Sequence, residues 1–418
     1  MRTSIRHRVR ARLIIGAGVA SIAAVLCMGA MLLSTGHAVA QSDVRAPRFE
    51  VDPLWPKPLP NHWILGSVIG VSVDADDHIW IIHRGSSTLA PKEKLLETNG
   101  GECCAAAPPI LEFDQAGNLL RHWGGPGKGY DWPESNHGVT IDYKGNVWIG
   151  GNGGGDSQIL KFTKDGKFLM QIGKPNARRS ATGGGGDAGS EGGGGKFVGG
   201  SNDPDNFGRV AKIFVDQKTN EAYVADGYLN KRVAVLDADT GKLKRYWGAY
   251  GNRPDDAPLG RYDPSAPPTQ QFRNPVHCAE MSVDRLIYVC DRVEDRMQVF
   301  TPEGKFLKEV FYNKNTLGDG SVWDIAFSKD PQQRYMFMAD GSNHVIRVID
   351  RKSLNVITSF GGGGRQPSEF YAVHSIATDS KGNIYTTETY EGKRVQRFVY
   401  KGIGMVPRQQ GVVWPKLH

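Results

Sequence analysis

The feature that most constrains this chain is an internal repeat. Six segments share one pattern: an apolar strand, a polar turn and a second strand of the type "IWI" or "IYV". They are "IGVSVDADDHIWIIHRG" from Ile69, "HGVTIDYKGNVWIGGNG" from His137, "AKIFVDQKTNEAYVADGY" from Ala211, "HCAEMSVDRLIYVCDRV" from His277, "DIAFSKDPQQRYMFMADGS" from Asp324 and "HSIATDSKGNIYTTETY" from His374. Most continue into two further strands around a Gly turn, as in "RVAVLDADTGKLKRYWG". Units of four short strands repeated six times, without helical periodicity, predict an all-β six-bladed β-propeller. A lone blade cannot bury both faces, whereas a closed ring buries each against its neighbours and leaves only short edges. "RFEVDP" at 48–53 is the expected sealing strand, pairing beside the last blade around 394–400.

The units begin 68, 74, 66, 47 and 50 residues apart, so the excess chain belongs to connections on the propeller faces. One is "GGGGDAGSEGGGGKFVGG" (183–200), expected to be a flexible surface loop. It does not fit a phosphate loop, because Ser190 and Phe197 stand where Gly and Ser or Thr are needed.

Residues 1–40 read as an export signal: a basic start with five arginines, an apolar stretch over 13–33, and Ala38 and Ala40 in cleavage spacing. The apolar run is also long enough for an uncleaved anchor. The expected organisation is a signal at 1–40, a segment with the sealing strand at 41–65, the propeller at 66–404 and a tail at 405–418. The mature body would be periplasmic or secreted, with no stable membrane insertion. Of the whole chain's charge of +7, five come from leader arginines, which leaves +2 and no electrostatic case for nucleic acid. Cys103, Cys104, Cys278 and Cys290 remain after the leader, and an oxidising compartment permits disulfides among them. Spacing does not choose between the pairings, nor between them and four thiols.

The first residues of the units are Ile69, His137, Ala211, His277, Asp324 and His374, so histidine opens blades two, four and six. Alternate blades stand about 120° apart around the axis, which brings three imidazoles to one depth from three directions. Three protein ligands with one open position is the arrangement of a catalytic zinc site.

After the second strand of each unit, an acid recurs with a basic residue five to seven positions on: Asp226 with Arg232, Asp291 with Arg296, Asp340 with Arg347, Glu388 with Arg394. Recurrence marks these as structural pairs within each blade. Arg84 and Arg292 fall outside them, immediately after the acid's slot. Beside a metal, two such guanidinium groups suit an anionic substrate. Tyr228 follows Gly227 on the same kind of loop, where a neighbouring cation would ease loss of its proton and let it act as a base. Tyr390 has a similar offset in the last blade and competes for that role.

The repeats resemble NHL repeats. The series "HRG" (83–85), "NHG" (136–138), "DGY" (226–228), "VHC" (276–278), "DR" (291–292) and "VHS" (373–375) resembles peptidyl-α-hydroxyglycine α-amidating lyase, one motif per blade and in the same order. The resemblance implies zinc on His137, His277 and His374, Tyr228 as catalytic base, and Arg84 and Arg292 shaping the site. It implies cleavage of a carbinolamide to an amide and glyoxylate, on a small-molecule or peptide substrate bearing a carboxylate. The family also carries a structural Ca²⁺ held by an Asp directly after the third histidine, a position occupied here by Ser375. Two other readings stand beside the lyase. One is a metal-dependent hydrolase or lactonase acting on a small anion, and the other a non-catalytic binding or scaffold propeller.

Overall fold

The computed structural model describes residues 43–178 and 200–415. It is a six-bladed β-propeller with no α-helix among the described residues, only short 3₁₀ turns. Blade one consists of Val68–Val73, Ile79–His83, Ile110–Phe113 and Leu119–Trp123, each strand antiparallel to the one before. Blades two to five repeat this order, opening with Asn136–Ile141, Val210–Asp216, Val276–Met281 and Asp324–Phe327. Blade six opens with Val373–Thr378, continues through Ile384–Glu388 and Arg394–Val406, and takes its outer strand, Val44–Asp52, from the start of the described chain. The sealing strand is longer than the expected 48–53, because its pairing continues through a bulge between Pro47 and Phe49 as far as Val406. The first strands of neighbouring blades lie side by side around the axis, blade six closing on blade one.

Burial explains why the second strands read as unbroken apolar runs. Ile79–His83 and Glu221–Asp226 are buried along their whole length, sandwiched between the neighbouring blades. Outer strands such as Leu119–Trp123 are half exposed and more polar. The core is a set of inter-blade layers, for example Trp80, Ile82 and Ile110 of blade one against Val139, Val147 and Leu160 of blade two.

Two polar devices recur. At the turn between first and second strands an aspartate gathers backbone donors and a ring. Asp142 accepts from Lys144 N (2.9 Å), Asn146 N (2.8 Å) and Trp148 Nε1 (2.9 Å). Asp74 with Trp80 and Asp379 with Tyr385 repeat it. The second device is the four expected acid–arginine pairs, all formed: Asp226–Arg232, Asp291–Arg296 and Asp340–Arg347 at 2.7 Å, and Glu388–Arg394 at 2.5 Å. Arg232 also donates to the carbonyls of Ser201, Asp203 and Asn206, so the buried pair pins the connection leading into its own blade. Such added hydrogen bonds are what offset the desolvation of a buried ion pair.

Candidate metal centre

The first strand of each histidine-bearing blade carries an irregularity at or beside its histidine. The ladder skips His277 between Val276 and Cys278, and His374 between Val373 and Ser375; in blade two the extra residue is Gly138, between His137 and Val139. A bulge frees one residue from the ladder and re-aims its neighbours. Gly138 sits at φ +69°, and a Cβ there would run into the Ala211 carbonyl, so only glycine lets His137 approach blade three this closely. The strand-opening imidazoles therefore turn away from the inter-blade layers and towards the axis.

The structure brings His137, His277 and His374 together. Their candidate ligand nitrogens all lie within 4.8 Å of one another, and ring centroids are separated by 4.8 to 5.2 Å. His137 Nδ1 donates to the Ala211 carbonyl (2.7 Å) and His277 Nδ1 to the Trp323 carbonyl, which assigns the proton to Nδ1 and leaves Nε2 as the lone-pair nitrogen in both. His374 Nδ1 has no hydrogen-bond partner among the described residues. All three rings are buried. Burial, assisted by Arg84, pushes the His137 pKa down to about 3. Burial also holds His277 and His374 well below 6.5, with Arg292 adding to the effect on the first and the neighbouring imidazoles on the second. At neutral pH the cluster is thus three neutral imidazoles.

Tyr228 is the fourth member. Its hydroxyl lies 2.8 Å from His137 Nε2 and 3.0 Å from His277 Nε2, and Arg292 Nη1 reaches it at 3.4 Å. One phenolic proton can serve only one of those nitrogens at a time. The loop is set by Gly227, where a Cβ would overlap the Val276 backbone, and by the Tyr228 N–H bond to the Arg209 carbonyl (3.2 Å). Arg292 and Arg84 favour the phenolate as expected, but burial outweighs them and the net direction of the Tyr228 pKa is upward. Tyr390 is 43% exposed and its hydroxyl is bound to Asp319 (3.0 Å), away from the histidines' hydrogen bonds.

The two arginines flank this cluster, and neither stands alone as the sequence pattern suggested. Arg292 is buried, stacks over Trp323 at 4.6 Å and pairs with Asp319 at 3.3 Å. Arg84 donates to Asn152 Oδ1 at 2.8 Å. Asp319, Asn152 and Trp323 escaped the sequence reading. Asp319 and Trp323 lie in the connection between blades four and five, held against the Arg292 backbone by Gly320, where any side chain would collide with the Arg292 carbonyl.

Three buried neutral imidazoles beside one hydroxyl proton leave more lone pairs than donors, an excess a divalent cation satisfies. The residues present therefore fit zinc. A second grouping, Asp74, His78 and Glu112, does not. Asp74 is committed to Trp80, His78 N and Lys164, and Glu112 to His78 (2.7 Å) and Arg121 (2.6 Å). His83, next to Arg84, is also structural. Its Nδ1 accepts from the N–H groups of Gly66 and Gly85, and burial takes its pKa down to about 4.

Cys278 is disulfide-bonded to Cys290, directly opposite it in blade four, and Cys103 to Cys104. The expected signal at 1–40 and nearly all of the Gly-rich loop at 183–200 lie outside the described residues. No helix among the described residues is long and apolar enough to cross a membrane.

No family model matches the chain, and no curated protein matches it. Among solved structures it is similar to a catalytically inactive virginiamycin B lyase from Staphylococcus aureus with quinupristin, at 14% identity and TM-score 0.44, covering 87% of this chain and 89% of that one. It is also similar to a streptogramin B lyase, at 12% identity and TM-score 0.46, covering 86% and 98%. Likeness at this level is no guide to chemistry.

Proposed function

We propose that this protein is an exported, zinc-dependent carbon–nitrogen lyase of the peptidyl-α-hydroxyglycine α-amidating type. It cleaves a carbinolamide to an amide and glyoxylate or a related carbonyl acid. The observation that carries the reading is the Tyr228 hydroxyl, hydrogen-bonded within a cluster of three axial histidines and touched by Arg292. A scaffold has no use for that convergence of buried polar groups, each costly to desolvate.

His137, His277 and His374 would hold the zinc. When bound, it supplies Lewis acidity that makes a nearby carbinol hydroxyl easier to deprotonate. Arg84 and Arg292 hold the substrate carboxylate, Arg292 exchanging its half-buried partner Asp319 for it. Burial alone keeps the Tyr228 phenol protonated; a cation held by the histidines would offset that and leave a phenolate able to take the hydroxyl proton. The C–O bond becomes a carbonyl, the C–N bond breaks, and the electron pair stays on the amide nitrogen. That nitrogen gains the proton Tyr228 has taken, so atoms and charge balance. Calcium has no comparable donor set after the third histidine, since the Ser375 hydroxyl donates to Asp324 (2.7 Å), a carboxylate already paired with Lys212.

The test is metal analysis joined to a glyoxylate assay on an α-hydroxyglycine amide. We expect one zinc per chain, lost in His137→Ala, and glyoxylate release by the wild type. Zinc binding without glyoxylate release would discard the lyase in favour of a hydrolase. A chain that binds no zinc would leave the scaffold reading.

A further inference from the structure

Beneath the histidines the channel contains a second buried polar cluster. Lys212 Nζ lies 2.7 Å and 2.9 Å from the two oxygens of Asp324, and 3.0 Å from Glu280. Asp324 Oδ2 also accepts from Ser375 Oγ (2.7 Å) and Ile376 N (3.1 Å). These groups come from the first strands of blades three, four, five and six. Burial disfavours the Lys212 ammonium, but the Asp324 and Glu280 carboxylates outweigh that and it stays charged.

The cluster's chain positions carry the inference. Lys212 directly follows Ala211, whose carbonyl holds His137 Nδ1. Asp324 directly follows Trp323, whose carbonyl holds His277 Nδ1. Ser375 directly follows His374, whose own Nδ1 has no partner among the described residues, so that ring depends on its backbone and on packing against Trp323. Each histidine is thus one peptide unit, or one hydrogen bond and one peptide unit, from a member of the cluster.

We propose that Lys212, Asp324 and Ser375 are positioning residues for the metal centre: an ammonium–carboxylate–hydroxyl core that fixes the carbonyls of Ala211 and Trp323 and the backbone of His374, and so aims the three imidazoles at one point. The inference rests on the metal reading above, not on the lyase reaction. Partners one layer outside the ligands ordinarily tune metal affinity by about 10–100-fold.

The experiment is cobalt titration of the metal-free full chain, in competition with a chelator, recording both affinity and the visible absorption that reports coordination geometry. Ser375→Ala removes one hydroxyl and little volume. It should weaken cobalt binding about tenfold and change the absorption bands, while Ser375→Thr, which keeps the hydroxyl, should stay near wild type. Asp324→Asn should weaken binding by about 10–100-fold. Should Asp324→Asn fail to fold, the two Ser375 variants decide alone. Cobalt affinity within twofold of wild type and an unchanged spectrum in Ser375→Ala would overturn the inference. A wild type that binds no cobalt overturns it together with the metal reading. A wild type that binds cobalt normally yet releases no glyoxylate removes only the lyase reaction.

Discussion

At the scale of single residues, the proposed reaction turns on Tyr228. Tyr228→Phe removes a hydroxyl that interacts with His137, His277 and Arg292. Turnover of an α-hydroxyglycine amide should fall by about 10²–10⁴ with zinc content retained. Tyr390→Phe, which loses a hydroxyl bound to Asp319, should be nearly silent. More than a third of the rate surviving in Tyr228→Phe would mean the base lies elsewhere. The histidines carry their own pH prediction. A folded pKa held near 3 means His137 contributes stability that is fully present above its unfolded pKa of 6.5 and is lost progressively as pH falls from there towards 3, while in the folded chain the ring itself stays neutral over most of that range. Protons therefore barely compete with metal between pH 7.5 and 5.5. Zinc affinity should change only severalfold over that range, where three exposed imidazoles would lose roughly a thousandfold. Chelator competition at the two pH values checks it, and a thousandfold loss would contradict the burial argument. The three histidines were legible in the sequence because they open alternate units of a ring. Asp319, Asn152 and Trp323 were not, because their positions depend on how connections of unequal length fold over the face.

At the scale of strands and loops, the acid–arginine pairs were legible through recurrence, since a residue pair repeated in four blades is tied to the blade itself. Arg232→Met keeps most of the side-chain volume but leaves Asp226, itself fully buried, without its charge partner. We expect a loss of about 3–5 kcal/mol in urea unfolding. A loss under about 1 kcal/mol would show the pair to be dispensable. The bulges that aim the histidines had no such signal, because one extra residue at a strand's start leaves the later alternation intact. The Cys278–Cys290 bridge was hidden for a related reason: it joins directly opposed residues, and opposition follows from a register the sequence does not display. Loop geometry makes a sharper test at Gly227. Gly227→Ala forces the loop away from the Val276 backbone, with overpacking worth about 1–3 kcal/mol. Activity should fall nearly as far as in Tyr228→Phe although every side chain proposed for catalysis is retained, and rate and melting temperature measured together would reveal it.

At the scale of the whole molecule, six blades and their order were legible because each unit repeats the same apolar spacing, and the seal was legible as one strand left over at the start. Phe49 and Val51 of that strand pack into the layer containing Phe337, Phe360 and Phe398. Deleting Val44–Asp52 removes this contact and exposes the paired edge of Arg394–Val406. The truncated chain should lose cooperative unfolding or self-associate. A monomeric, cooperatively unfolding product in size-exclusion and urea experiments would show that the ring holds without its seal.

The same seal has a consequence for timing. Arg48 and Lys401, joined across it, are 353 residues apart in the chain. Bringing such distant ends together from a flexible chain costs about 5 kcal/mol of closure entropy beyond a constant, although blades already formed shorten the effective loop. Contacts of this separation form slowly. A chain emerging from its N-terminus must keep the Phe49 strand unpartnered until the last blade has appeared. The earliest-made strand is therefore among the last to find its neighbour, and until then the nascent protein presents an open edge at each end.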